Sequence, residues 1–153
     1  MNPPLNATDS TVVASRALLG MVARSLSTVL ETVTVPQFRV LVVLASTGPQ
    51  RMGDLAEQIG VHPSTLTRTV ERLETAGLIL RAQVPGNRRE VKVELTPEGA
   101  TLVATVTDVR RAEIVKVIDG LTDDDRDQVR RGMEIFARAA GEPEPADLLE
   151  FGI

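Results

Sequence analysis

A helical pattern of apolar and polar positions lies between His62 and Leu78, HPSTLTRTVERLETAGL. Leu66, Val70 and Leu73 recur at i, i+4 and i+7, which on a 3.6-residue period makes one inward stripe. The opposite face carries Ser64, Thr65, Arg68, Arg72 and Thr75, with Thr67 beside them. Short hydroxyl side chains let a helix lie close to a polyanion, while guanidiniums a turn apart reach further out. Pro63 fits the first helical position and Gly77 the residue just past the end. The pattern predicts a short helix from Pro63 to Ala76 whose polar face suits the DNA major groove.

The neighbouring segments build on that helix. Asp54 to Ile59 predicts a short helix with Leu55, Ala56 and Ile59 inward, closed by Gly60 in a left-handed position, with Val61 anchoring the turn. Two short helices joined by a turn of about three or four residues that contains Gly make a helix-turn-helix. Downstream, Leu78–Val84 and Arg89–Leu95 are rich in Leu, Ile and Val around the turn residues Pro85, Gly86 and Asn87. Val91, Val93 and Leu95 fall on one face of the second strand, and Glu90, Lys92 and Glu94 on the other. The hairpin reads as a wing with a basic tip at Asn87, Arg88 and Arg89, and arginine is well suited to a narrow, electronegative minor groove.

The flanking segments predict helices with more apolar surface than a monomer needs. A first helix from Asp9 or Ser10 to about Val33 carries Val12, Leu19, Ala23, Leu26 and Leu30 on one stripe, with Val22, Val29 and Val33 beside it. Gln37–Ser46 is apolar nearly all round and rich in Val. A strand is open to it, but Pro36 at its start and the spacing of Phe38, Leu41, Val42 and Ala45 favour a buried helix. Thr96-Pro97-Glu98 starts a helix to about Asp119, and Thr122 with Asp123, Asp124 and Asp125 starts a last one striped by Val129, Met133, Phe136 and Ala140. The expected architecture is mainly α with a small β-hairpin: an arm at 1–8, dimerisation helices at 9–33 and 97–140, a winged helix-turn-helix at 34–96 and an acidic tail at 141–153. Disorder is the plain reading of that tail, although Leu148, Leu149, Phe151 and Ile153 give it a means of docking in a groove.

Composition narrows the chemistry. The 153 residues suit one domain that buries about two-thirds of its unfolded surface. With no Cys and one His, disulfides, a thiol switch and a nitrogen-rich metal site are excluded, and no nucleophile, base and orienter can be assembled for an enzyme. No cofactor is expected. No leader opens the chain and no apolar run approaches the roughly 18 residues that span a bilayer, so a cytoplasmic protein is expected. The net charge of −4 argues against nucleic acid only as an average: residues 1–50 carry +1, residues 51–93 carry +2 and residues 94–153 carry −7. Such a field turns the middle of the chain toward phosphate and its end away.

Helix, helix, helix-turn-helix, wing, helix, helix over about Asp9 to Ala140 resembles the MarR family, the multiple antibiotic resistance regulators. The family's wing reads Asp-x-Arg, then an alternating strand and Leu-Thr-x-x-Gly. Here the run is Asn87-Arg88-Arg89-Glu90-Val91-Lys92-Val93-Glu94-Leu95-Thr96-Pro97-Glu98-Gly99, and it departs only at its first position. LAEQIGVHPSTLTRTVERLETAGLI is similar to the family's recognition segment.

The resemblance implies that Thr65 and Arg68 face the major groove, with Ser64, Thr67 and Arg72 nearby on bases or phosphates. It assigns Arg89 to the minor groove and makes Arg88 its neighbour on the other face of the strand. Asn87 stands where the family usually has an aspartate that pairs with the wing arginine; it keeps an acceptor and lacks the charge. A homodimeric repressor is implied, with recognition helices about 34 Å apart on an inverted-repeat operator, released by a small, often aromatic or phenolic acid. For that ligand the sequence offers Arg16, which either receives a carboxylate or snorkels and pairs with an acid of a partner helix, and Phe38 and Met52, which line a site or belong to the core. His62 reads equally as a phosphate contact or a helix cap. A winged-helix module that binds protein instead of DNA is the alternative, and sequestration of Arg68 and Arg89 in intramolecular pairs would favour it.

Overall fold

The computed structural model describes residues 6–84 and 86–142, with Arg88 and Arg89 described in their backbone alone. Expectations for the first five residues, for Pro85 and for Leu148, Leu149, Phe151 and Ile153 lie outside the described residues. In chain order the elements are α1 (Ala7–Ser27), α2 (Val35–Thr47), β1 (Gln50–Arg51), α3 (Met52–Ile59), α4 (Pro63–Thr75), β2 (Ile79–Val84), β3 (Asn87–Leu95), α5 (Pro97–Ile118) and α6 (Asp123–Ala139).

Local chemistry sets the helix ends. Asn6, and not Asp9 or Ser10, caps α1: its side chain accepts from the Asp9 N–H at 2.9 Å, which places Asp9 in the first turn. The regular helix stops at Ser27 rather than near Val33. Ser25, Ser27 and Thr28 turn their hydroxyls back onto the carbonyls of Val22, Arg24 and Ser25, a competition that weakens a helix, and residues 28–32 continue as turns. Thr34 and Gln37 form a reciprocal capping box, and Pro36 occupies the first turn, so the apolar run after them is helical as its spacing predicts.

The core gathers the inward positions of α2, α3, α4, β3 and α5, with Leu41, Leu55, Leu66, Val70, Leu73, Val93 and Val106 at its centre. Helix α2 is apolar all round because α3, α4, α5 and β3 all pack against it. The sheet is antiparallel in the order β1-β3-β2. Ile79 pairs with Leu95 and Gln83 with Val91, after which an irregularity leads to the pair Val84 and Asn87. Strand β1, pairing Gln50 with Val93 and Arg51 with Lys92, has no counterpart in the sequence reading.

Helix α5 lies against α1, and Arg24 ties the two by pairing with Glu113, Nη2 to Oε2 at 2.7 Å. Behind it the half-buried Arg110 reaches the buried Ser25 hydroxyl at 3.4 Å, and burial pushes its pKa down. The Arg24 guanidinium, and then Lys116, hold the Glu113 carboxyl below its ordinary value of 4.5. A depressed folded-state pKa contributes stability above that ordinary value, and the contribution is lost as pH falls through the folded-state pKa. Glu113→Gln is therefore expected to lower the unfolding temperature at neutral pH, and thermal scans of the two proteins should converge as the pH falls from 4.5 through the lowered folded-state pKa.

Helix α6 stands apart. None of its residues is buried, and no other element packs extensively on it. Arg126 fixes its start by donating from Nε to the Ile118 carbonyl and from Nη2 to the Asp119 carbonyl, both at 3.0 Å, which caps the end of α5. Among the described residues no helix is long and apolar enough to cross a membrane.

Candidate nucleic-acid interface

Helices α3 and α4 meet through Gly60, whose φ of 75° suits a residue without a Cβ. The Gly60 and Val61 N–H groups both return to the Ala56 carbonyl at 3.0 Å and close α3. His62 then caps α4. Its Nδ1 accepts from the Ser64 N–H at 3.3 Å and lies 2.8 Å from the Ser64 hydroxyl. Leu66, Val70 and Leu73 are almost wholly buried, which fixes how α4 is rotated about its axis.

That rotation leaves Ser64, Thr65, Arg68, Arg72 and Thr75 exposed on one face. The hydroxyls differ in availability. Thr67 is half-buried and gives its hydroxyl to the Pro63 carbonyl at 2.9 Å, and Thr75 gives its own to Glu71 at 2.8 Å. Among the described residues Thr65 has no side-chain partner, and neither Arg68 nor Arg72 has an ion pair. Thr65, Arg68 and Arg72 therefore present unspent donors from one rigid surface.

The wing is joined to α4 at its root. Arg81 of β2 donates from Nε to Glu74 Oε2 at 2.8 Å, and the Arg81 side chain lowers the Glu74 carboxyl below its ordinary range. At the tip, Gly86 turns the chain with φ 82°. Asn87 donates from Nδ2 to Glu90 Oε2 at 3.1 Å, and the other Glu90 oxygen meets Arg51 Nε. Sequence reasoning missed Glu74, Glu90 and their arginines. Nothing local announces either pair, because Arg81 lies a helix end away from Glu74 and Arg51 reaches Glu90 only through the unanticipated β1.

The residues proposed for a small ligand lie on three successive helices. Arg16 is exposed on α1, Phe38 is buried in the core and Met52 packs at the core's edge. A cavity of about 440 Å³ lies elsewhere, between the end of α2, β3 and the start of α5, lined by Leu44, Pro49, Glu94, Leu95, Ala100 and Thr101 among others. Glu94 is its one charged lining group.

The MarR family profile matches residues 33–91, from just before α2 into β3. The transcriptional repressor MdtR of Bacillus subtilis is 32% identical over 108 residues, covering 71% of this chain and 70% of MdtR. YfiV, an uncharacterised helix-turn-helix regulator of the same organism, is 27% identical over 106 residues, 69% of this chain and 66% of YfiV, just under two-thirds of that relative. The crystal structure of RV1404 from Mycobacterium tuberculosis superposes with a TM-score of 0.82 at 37% identity, covering 93% of this chain and 99% of that one.

Proposed function

Because the chain belongs to the MarR family of transcriptional regulators, we propose that it acts as a homodimer that binds an inverted-repeat DNA operator and represses transcription from it. The observation that carries the DNA-binding part is the outward face of α4. Its opposite stripe is locked in the core, while Thr65, Arg68 and Arg72 stand exposed and, among the described residues, without ion pairs. In this reading Thr65 and Arg68 read base edges, Ser64, Thr67 and Arg72 lie on adjacent bases or phosphates, and Asn87, Arg88 and Arg89 form the wing tip at the minor groove. A protein-binding module would be favoured by Arg68 and Arg89 held in intramolecular pairs, and among the described residues Arg68 has no ion pair.

Dimerisation is supported by the apolar surface that one chain leaves uncovered: Leu19 is 68% exposed on α1, and Ile135 and Phe136 are 66% and 54% exposed on α6. Repression follows MdtR by similarity. Release by a small aromatic or anionic ligand belongs to the same proposal, with Arg16 as the available cation. The cavity beneath β3, whose only charge is Glu94, does not suit an anion.

Arg68→Ala and Arg89→Ala are each expected to weaken operator binding by about 1–3 kcal/mol if they reach base edges or the groove floor. Titration of wild-type and variant proteins against the upstream region of the protein's own gene measures this. Unchanged affinity in both variants would remove the assigned contacts.

A further inference from the structure

We propose that Glu90 is the positioning residue of the wing, its carboxylate tying the hairpin tip to the helix-turn-helix with one oxygen directed to each. Oε2 accepts from Asn87 Nδ2 at 3.1 Å, and Oε1, shielded from solvent, pairs with Arg51. Arg51 belongs to β1 and is also the N-cap residue of α3. The tie therefore runs from the turn of the wing to the first residue of the helix-turn-helix.

The geometry of the sheet explains why a tie has an effect here. Strand β1 pairs with Val93 and Lys92, and among the described residues β2 is the one strand that pairs with β3 beyond those positions. The β2–β3 register also breaks between Gln83 and Val84. A two-stranded ribbon alone in water is marginally stable, and a tip that samples many orientations loses conformational entropy when it docks. Glu90 sits two residues before Lys92 on the same face of β3, diagonal to Arg51, within reach of a long side chain on the neighbouring strand.

The same arrangement accounts for Asn87. An aspartate there would set a second carboxylate at hydrogen-bonding distance from Glu90, whereas the amide supplies a donor. In this chain the neutral residue suits a tie to Glu90.

The purpose assigned to the tie rests on the DNA-binding reading, and the test separates the two. Glu90→Gln removes a negative charge beside a strand meant to approach phosphate, so charge alone predicts tighter DNA binding. Positioning predicts the opposite sign. In the free full-length protein, Glu90→Gln is expected to raise amide exchange at residues 86–90 about tenfold while leaving α4 unchanged. Asn87→Asp should do the same. Combining Asn87→Asp with Glu90→Gln re-forms the hydrogen bond with donor and acceptor exchanged, and should bring exchange back below that of Asn87→Asp alone. On a duplex selected by the wild-type protein from a random pool, Glu90→Gln should lower affinity about three- to tenfold, with protection lost at the outer minor-groove positions and kept in the major groove. Unchanged exchange at the tip, or affinity equal to or above wild type, overturns the proposal. Altered exchange with a wild-type protein that selects no duplex would establish the tie and overturn the DNA-binding reading instead.

Discussion

Replacing Gly99 by alanine is expected to lower the stability of the protein by about 3 kcal/mol or more. A Cβ built there lies 2.0 Å from the Leu78 carbonyl oxygen and 3.2 Å from Leu95 Cδ2. The nearest atom is backbone, so no side-chain rotation relieves the clash, and α5 must move away from the end of α4. That movement would break two further contacts across the same junction. The Thr96 N–H donates to Leu78 O at 3.1 Å, and the Thr96 hydroxyl donates to the Gly77 carbonyl at 2.7 Å. The Leu-Thr-x-x-Gly run thus joins the wing, the recognition helix and α5 at one point, with Thr96 also capping α5 through the Gly99 N–H. Gly53, exposed in α3, is the control: nothing lies within 4 Å of its Cβ position. Gly53→Ala should be neutral or stabilising by up to about 1 kcal/mol. Denaturant unfolding followed by far-ultraviolet circular dichroism checks both, and equal midpoints for wild type and Gly99→Ala would refute the packing argument.

Placing two aspartates on α6, Met133→Asp with Phe136→Asp, is expected to weaken self-association by at least about a hundredfold. The two side chains share one stripe of a helix that buries nothing within its own chain. The substitutions therefore leave the core intact while setting unpaired charges in the proposed dimer interface. Sedimentation velocity should show the wild type as a dimer and the variant as a monomer with an unchanged helical spectrum. A variant of wild-type mass would move the interface away from α6.

How much of this was legible depends on how local the cause is. Helix α4 was readable to within a residue because its stripe, its proline and the glycine beyond it all lie inside one segment. The hairpin and α2 were legible to within two residues, β3 beginning at Asn87 where Arg89 was expected and α2 at Val35 where Gln37 was expected. The end of α1 was misjudged because apolar periodicity continues to Val33 while three hydroxyls release the helix earlier, a competition that a hydrophobic pattern does not register. Strand β1 was invisible, since two residues carry no alternation and its partner lies about forty positions along the chain.

At the site, residue types and spacing identified the outward face of α4, yet not which hydroxyls are already engaged. Thr67 looks available in sequence and is engaged with its own helix. The arginines show the same limit. Arg24 pairs with Glu113, 89 positions away, and Arg51 with Glu90, whereas Arg68 and Arg72 stay unpaired among the described residues, and nothing in composition separates the two groups. Gly99 was legible only as part of a motif, and its physical reason, the approach of the Leu78 carbonyl, emerged from packing.

In the proposed complex two copies of α4, each with its wing, read one symmetric duplex. Hydroxyl-radical footprinting of the purified protein on the upstream region of its own gene, repeated across salt concentrations, tests it most directly. Two equivalent protected halves about one helical turn apart are expected, with outer minor-groove protection beside each and affinity that falls steeply with salt. No protection at any salt concentration, or a single unpaired half bound by one chain, would contradict it.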